Sequence, residues 1–168
     1  MAAENASAGM SVDQGATITL PSDREIRLVR VFNAPRHLVF EAWTSPEHVR
    51  HWWDPSGSPL AICEIDLRPG GSFRFVNSAL QGAGHAFTGT YREITPPERL
   101  VFSSPSPNGA DTLGTLEFEE RAGRTTLILT MTAPTKGARD AMLEMRIDAG
   151  TARTLANLGE YLAKKSQT

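Results

Sequence analysis

Apolar and polar residues alternate singly from Glu25 to Phe32, with Ile26, Leu28 and Phe32 on one side and Arg30 interrupting the apolar series. A period of two sends successive side chains to opposite faces, so this segment reads as the first strand of a half-buried sheet. Asn33-Ala34-Pro35 then marks a helix entrance, by a cap or a preset φ, and Leu38, Val39, Ala42 and Trp43 give that helix an apolar stripe. Ser45-Pro46 opens a second short helix running to Trp52-Trp53. Asp54-Pro55 stops it, because a residue before proline disfavours helical backbone. Beyond Gly57 the period returns to two. Ala61, Cys63, Ile65 and Leu67 share one face of a strand, and Pro69-Gly70-Gly71 turns the chain into Ser72-Phe73-Arg74-Phe75-Val76. Further strands are expected over His85–Tyr91 and Arg99–Phe102. A last pair, near Thr112–Glu120 and Thr125–Thr132, is joined by a tight turn at Arg121-Ala122-Gly123-Arg124.

After Pro134-Thr135 the pattern becomes helical, with Met142, Met145, Ala149, Ala152, Leu155, Leu158 and Leu162 recurring every three or four residues. One continuous helix from Lys136 to Lys164 would extend on the order of 40 Å, with Gly150 as the place where it bends. Together these elements predict an α+β domain. A curved antiparallel sheet of about seven strands wraps a long C-terminal helix, and two short helices follow the first strand. The domain is expected over residues 24–164. Residues 1–23 and 165–168 are expected to be tails, although Ala16–Leu20 can form a short edge strand.

A chain of 168 residues, 40% hydrophobic and 21% charged, has room for one such domain and its core. Its 17 basic and 19 acidic residues are interspersed, for a net charge of -2. That leaves no basic footprint for nucleic acid or an anionic membrane, and points to a small apolar molecule or another protein as partner. The single cysteine, Cys63, excludes an internal disulfide and a cysteine-built zinc site, as a cytoplasmic chain would permit. There is no secretory leader pattern and no apolar run near the roughly 20 residues that span a bilayer.

Six short patterns occur in a fixed order: Arg30-Val31-Phe32-Asn33-Ala34-Pro35, Ala42-Trp43-Thr44-Ser45-Pro46-Glu47-His48, Trp52-Trp53-Asp54-Pro55, Asp66-Leu67-Arg68-Pro69-Gly70-Gly71, Pro96-Pro97-Glu98-Arg99-Leu100 and Tyr161-Leu162. In this order they resemble the activator of heat-shock protein 90 ATPase homologues, a branch of the START-like superfamily, also called SRPBCC or birch-pollen-allergen-like. The resemblance covers about Arg24 to Lys164. It implies a helix-grip fold with an apolar cavity between sheet and C-terminal helix, and a non-catalytic role in ligand binding or chaperone association. Superfamily relatives also include polyketide cyclases and aromatases, so an enzyme acting in the same cavity is the alternative, with His85, Tyr91 and Arg146 as its polar groups. Two departures stand out. Asp54 follows the tryptophan pair where the family usually has glycine. Gly150-Thr151 stands where its final helix often has Gly-Trp, and losing that indole leaves more space.

Phe73 and Phe75 share one strand face, as do His85, Phe87, Gly89 and Tyr91. With Phe102 they either line a cavity or fill a solid core, and Gly89 would admit a helix or ligand closely. Met131, Met142 and Met145 offer an adaptable lining or ordinary packing. Arg146 either holds a carboxylate at the cavity mouth or lies on a solvated face. Trp52 and Trp53, being adjacent, cannot both enter one core. Either one gates the cavity or one is buried while the other covers the surface. His48 and His51 stand three apart beside Glu47 without an evident third ligand, so no metal is expected. Cys63 reads as an inert thiol. Glu64 and Asp66 read as a carboxylate pair or as exposed charges. No nucleophile elbow or phosphate-loop lysine appears, so hydrolase and nucleotide-binding classes fall away. No cofactor and no catalytic constellation is expected, and the chain is expected as a monomer or homodimer.

Overall fold

Nine strands pair edge to edge, each antiparallel to its neighbours, in the computed structural model of the chain, which describes residues 10–78, 86–105 and 110–166. They are β1 (Met10–Asp13), β2 (Ala16–Thr19), β3 (Glu25–Phe32), β4 (Leu60–Ile65), β5 (Ser72–Asn77), β6 (Ala86–Thr95), β7 (Arg99–Pro105), β8 (Asp111–Arg121) and β9 (Arg124–Thr132). Their order in the sheet is β1-β2-β3-β9-β8-β7-β6-β5-β4. Four helices complete the described residues: α1 (Arg36–Thr44), α2 (Pro46–Trp52), α3 (Lys136–Glu144) and α4 (Ile147–Ser166). This is the expected α+β helix-grip arrangement, with nine strands in place of about seven.

The hairpins follow from local chemistry. Ala122 and Gly123 both adopt positive φ, 54° and 76°. That is the two-residue turn whose twist matches the flanking strands, and it places Leu116 opposite Leu129 and Phe118 opposite Leu127. Gln14 and Gly15, at φ 50° and 90°, make the same kind of turn between β1 and β2. Ala16–Thr19 is thus a strand where Ala16–Leu20 was expected to form one, while Met10–Asp13 is a strand where none was expected. Only Ala16 and Ile18 of this hairpin are buried, so it carried little apolar pattern. Its turn is fastened from two sides. The Arg30 guanidinium donates to the Gln14 carbonyl, and Arg153 of α4 donates to Gln14 Oε1 at 3.2 Å. Burial pulls the Arg30 pKa down, against the opposing effect of Glu160. At the far edge of the sheet, β4 shifts register against β5 between Leu60 and Ile62.

The concave face gathers Ile26, Leu28, Phe32, Leu116, Phe118, Leu127 and Leu129, all buried. Ala152, Leu155 and Leu158 of α4, each 0% exposed, pack into the same core. Every such leucine contributes roughly 1.5–3 kcal/mol by leaving water. In α1 the inward face is Val39, Phe40, Ala42 and Trp43, with the Phe40 ring edge-on to Phe118 at 5.3 Å. Leu38, placed in the stripe by the sequence pattern, is 43% exposed. Phe40 takes its place because the helix enters at Pro35 turned so that position 40, not 38, meets β8. The first free N–H of α1, on Arg36, donates to Glu120 Oε1 at 2.9 Å. Thr135 Oγ1 caps α3 by accepting from Ala138 N at 3.0 Å.

The expected single C-terminal helix is two. The break falls at Met145-Arg146 and not at Gly150, because Arg146 adopts left-handed φ, 60°, and closes the end of α3 by donating its N–H to Leu143 O at 3.0 Å. α4 then begins with Gly150 N donating to Arg146 O. Buried Arg139 holds α3 in place by donating to Ser22 O at 2.8 Å and pairing with Asp140 at 3.0 Å.

Candidate functional site

Register decides which rings meet. Phe75 stands opposite Phe87, Phe73 opposite Gly89, Tyr91 opposite Phe102, and Phe102 opposite Gly114. A Cβ on Gly89 would collide with the Phe73 ring, and one on Gly114 with the Phe102 ring. The space above Gly89 is therefore filled by Phe73, not by a helix or ligand. Ring centroids 5.1 Å (Phe73 to Phe75), 5.2 Å (Phe73 to Tyr91) and 5.4 Å (Phe73 to Phe102) apart make a continuous aromatic cluster. Phe73, Phe75 and Tyr91 are at most 5% exposed and surround only a void of about 20 Å³. They are core residues that support the cavity wall.

The cavity itself lies beside this cluster, beneath the α3–α4 break, with a volume of about 530 Å³. Trp53, Phe87, Phe102, Met131, Met145 and Arg146, all predicted, line it. A neighbouring lobe of about 320 Å³ between α3 and strands β7 to β9 shares Phe87, Phe102, Met131 and Met145 with it and adds Met142. Trp52 does not reach the cavity. It is fully buried, its Nε1–H donates to Ala42 O at 3.1 Å, and its ring meets Trp43 edge-on at 4.8 Å. Trp53 is half-buried, stacked on Phe87 at 5.2 Å and edge-on to Phe75 at 4.9 Å. His85 lies outside the described residues.

Other lining residues carried no distinct signal in the sequence: Trp43, Leu129, Ile147 and Thr154. Trp43 sat in a helical stripe indistinguishable from core. The Gly150-Thr151 departure was the one usable signal, and both residues do face the cavity; nothing lies within 4 Å of a Cβ built on Gly150. The α2 end of the wall is fixed to α4, since Thr154 Oγ1 donates to Trp53 O at 3.1 Å and Asn157 Nδ2 to Asp54 O at 3.0 Å.

The lining is mostly apolar, with Asn77, Thr151 and Thr154 among its polar residues, and two of its polar groups stand without a partner among the described residues. Arg146 is the one charged residue in the wall among the described residues, and no acid pairs with its guanidinium among them. Its left-handed backbone costs roughly 1–2 kcal/mol that glycine would not incur. Trp43 Nε1, buried in the wall, has no hydrogen-bond acceptor among the described residues. Tyr91 and Arg146 do not line the same cavity.

Away from the cavity, the histidines of α2 are engaged with neighbouring side chains. His48 Nδ1 lies 2.6 Å from Tyr161 Oη and its Nε2 lies 3.2 Å from Glu41 Oε1, so both ring nitrogens are taken. His51 stacks on Tyr161 at 5.9 Å. Burial first, then Glu47 and Glu41, push the Tyr161 pKa up. The pair of histidines thus brackets a tyrosine. No group of three or more metal-ligating side chains occurs among the described residues. Half-buried Cys63 is pushed up to about 11 by burial, against Arg50. Glu64 and Asp66 are exposed, with Asp66 2.9 Å from Arg68. No described helix is long and apolar enough to cross a membrane.

The family model described as "Activator of Hsp90 ATPase homolog 1-like protein" matches residues 33–163, well over half of the chain. Comparison with curated proteins gives no match. Among solved structures, a protein from Rhodobacter sphaeroides is 26% identical, with 89% of this chain and 98% of that one covered and a TM-score of 0.76. One from Nitrosomonas europaea is 24% identical over 89% and 100%, also at 0.76. An HSP90 activator from Plasmodium falciparum is 23% identical over 83% and 96%, at 0.64.

Proposed function

The chain belongs to the Activator of Hsp90 ATPase homolog 1-like family, and from that premise we propose that it is a non-catalytic binding module taking a small hydrophobic ligand beneath the α3–α4 break. The observation that carries this reading is the cavity of about 530 Å³ walled by Trp53, Phe87, Phe102, Leu129 and Met131. That size and lining are typical of small-molecule sites, where an apolar surface supplies affinity and a few polar groups set orientation. No acid and base face each other across it among the described residues, and a cyclase-like reaction gains no support from the separation of Tyr91 and Arg146. The family name is the ground for a chaperone-associated setting, in which ligand occupancy regulates contact with a protein partner, and the single cysteine is the ground for a cytoplasmic one.

Native mass spectrometry of the purified protein, before and after mild organic extraction, tests the reading. The expected result is a released apolar molecule, or rebinding of one from an apolar panel with 1:1 stoichiometry. Thr151→Trp returns an indole to the cavity and is expected to abolish that binding while leaving the fold intact by circular dichroism. If nothing is released and the panel fails against the wild-type protein, the reading is wrong.

A further inference from the structure

We infer that the occupant of this cavity is an amphiphile with a single anionic head, held by Arg146 at the mouth while its apolar body lies against Trp53, Phe87 and the methionines. This rests on the binding reading above and specifies its ligand class. The described lining holds one charge, a guanidinium, and no carboxylate to neutralise it. A fork of N–H donors at the rim of an apolar wall matches the two oxygens of a carboxylate or the oxygens of a sulfonate. The second unpaired group is also a donor, the Nε1–H of Trp43. Neither of these two groups can accept a hydrogen bond, and of the other polar residues in the lining, Asn77, Thr151 and Thr154, both threonine hydroxyls already donate to backbone carbonyls.

The body of the ligand follows from the remaining wall. Three of the chain's five methionines, Met131, Met142 and Met145, border the two lobes. Unbranched thioethers adapt to the shape they meet, which suits a flexible chain or a family of related bodies better than one rigid outline. Met145 is 64% exposed and belongs to both lobes. It stands next to Arg146, so head recognition and entry to either lobe occur at the same break in the helix.

A matched pair of dyes separates the anion from the body. 1-Anilinonaphthalene-8-sulfonate and N-phenyl-1-naphthylamine share an apolar frame and differ by one sulfonate. In fluorescence titrations the sulfonate is expected to bind a few-fold more tightly at low salt, since Arg146 is exposed and contacts to an exposed cation are weak. The advantage shrinks as salt rises. Arg146→Gly, which relieves the left-handed backbone and so keeps the helix break, is expected to bring the two dyes to equal affinity, and Arg146→Lys to restore part of the gap. Dodecanoate displaces the dye from wild type and dodecanol does so more weakly. Equal affinity of both dyes for wild type, or a gap that survives Arg146→Gly, overturns the inference while the cavity stands. Binding of both dyes undiminished in Thr151→Trp overturns it too, by placing them elsewhere. Failure of both dyes to bind removes the binding reading and this inference together.

Discussion

Arg146 joins two features that seldom meet in one residue, a left-handed backbone and a cation with no acid beside it among the described residues. Glycine is the residue that such a helix end ordinarily favours, so Arg146→Gly is expected to raise the unfolding free energy by about 1 kcal/mol, read as a shift in the urea midpoint. A fall in the midpoint would mean that the guanidinium stabilises the empty protein. Gly114 makes the opposite case. Its missing Cβ is where the Phe102 ring lies, so Gly114→Ala forces that ring into the cavity and is expected to cost about 1–3 kcal/mol. Cys63 tests burial by chemistry: with its pKa at about 11, its reaction with a disulfide reagent at pH 7.5 is expected to be well over tenfold slower in the folded protein than in urea. Equal rates would show an accessible thiolate.

At the scale of elements, Leu155 is where α4 meets the sheet, fully buried in the main core. Leu155→Ala is expected to cost about 2–5 kcal/mol, seen as a lower Tm without loss of the dye-binding contrast. Elements with a strong local signal were legible in the sequence. Ile26, Leu28 and Phe32 alternate, Ala122-Gly123 selects its turn, and Thr135 caps its helix. The α3–α4 break was not legible, because Met142, Met145 and Ala149 keep helical spacing across it and Arg146 carries no glycine or proline mark. Trp53, Phe87, Phe102 and the methionines, singled out by strand alternation and helical spacing, border the two lobes. The division of the aromatics into wall and core depends on cross-strand register, such as Phe73 lying over Gly89, which alternation within one strand does not contain.

For the whole molecule, burial leaves a signature at alkaline pH. Cys63, Tyr91 and Tyr161 all have pKa values raised first by burial. In the unfolded chain a cysteine loses its proton near pH 8.5 and a tyrosine near 10, while the folded protein holds these protons to higher pH. Above those values the unfolded state binds fewer protons, so stability is fully present below about pH 8.5 and is lost as pH rises toward and past 11. The urea midpoint at pH 10.5 is expected to lie below that at pH 8, and an unchanged midpoint would contradict the burial of these groups. The β1–β2 hairpin has a consequence at this scale as well. It covers β3 from Arg27 to Val29 and is tied down through Gln14 by Arg30 and Arg153. A chain trimmed at Arg24 would leave that strand's N–H and C=O groups open beside exposed Val31, a template on which further copies can stack. The hairpin therefore also acts as a guard against self-assembly, and light scattering that grows with concentration in the trimmed protein is the result to expect.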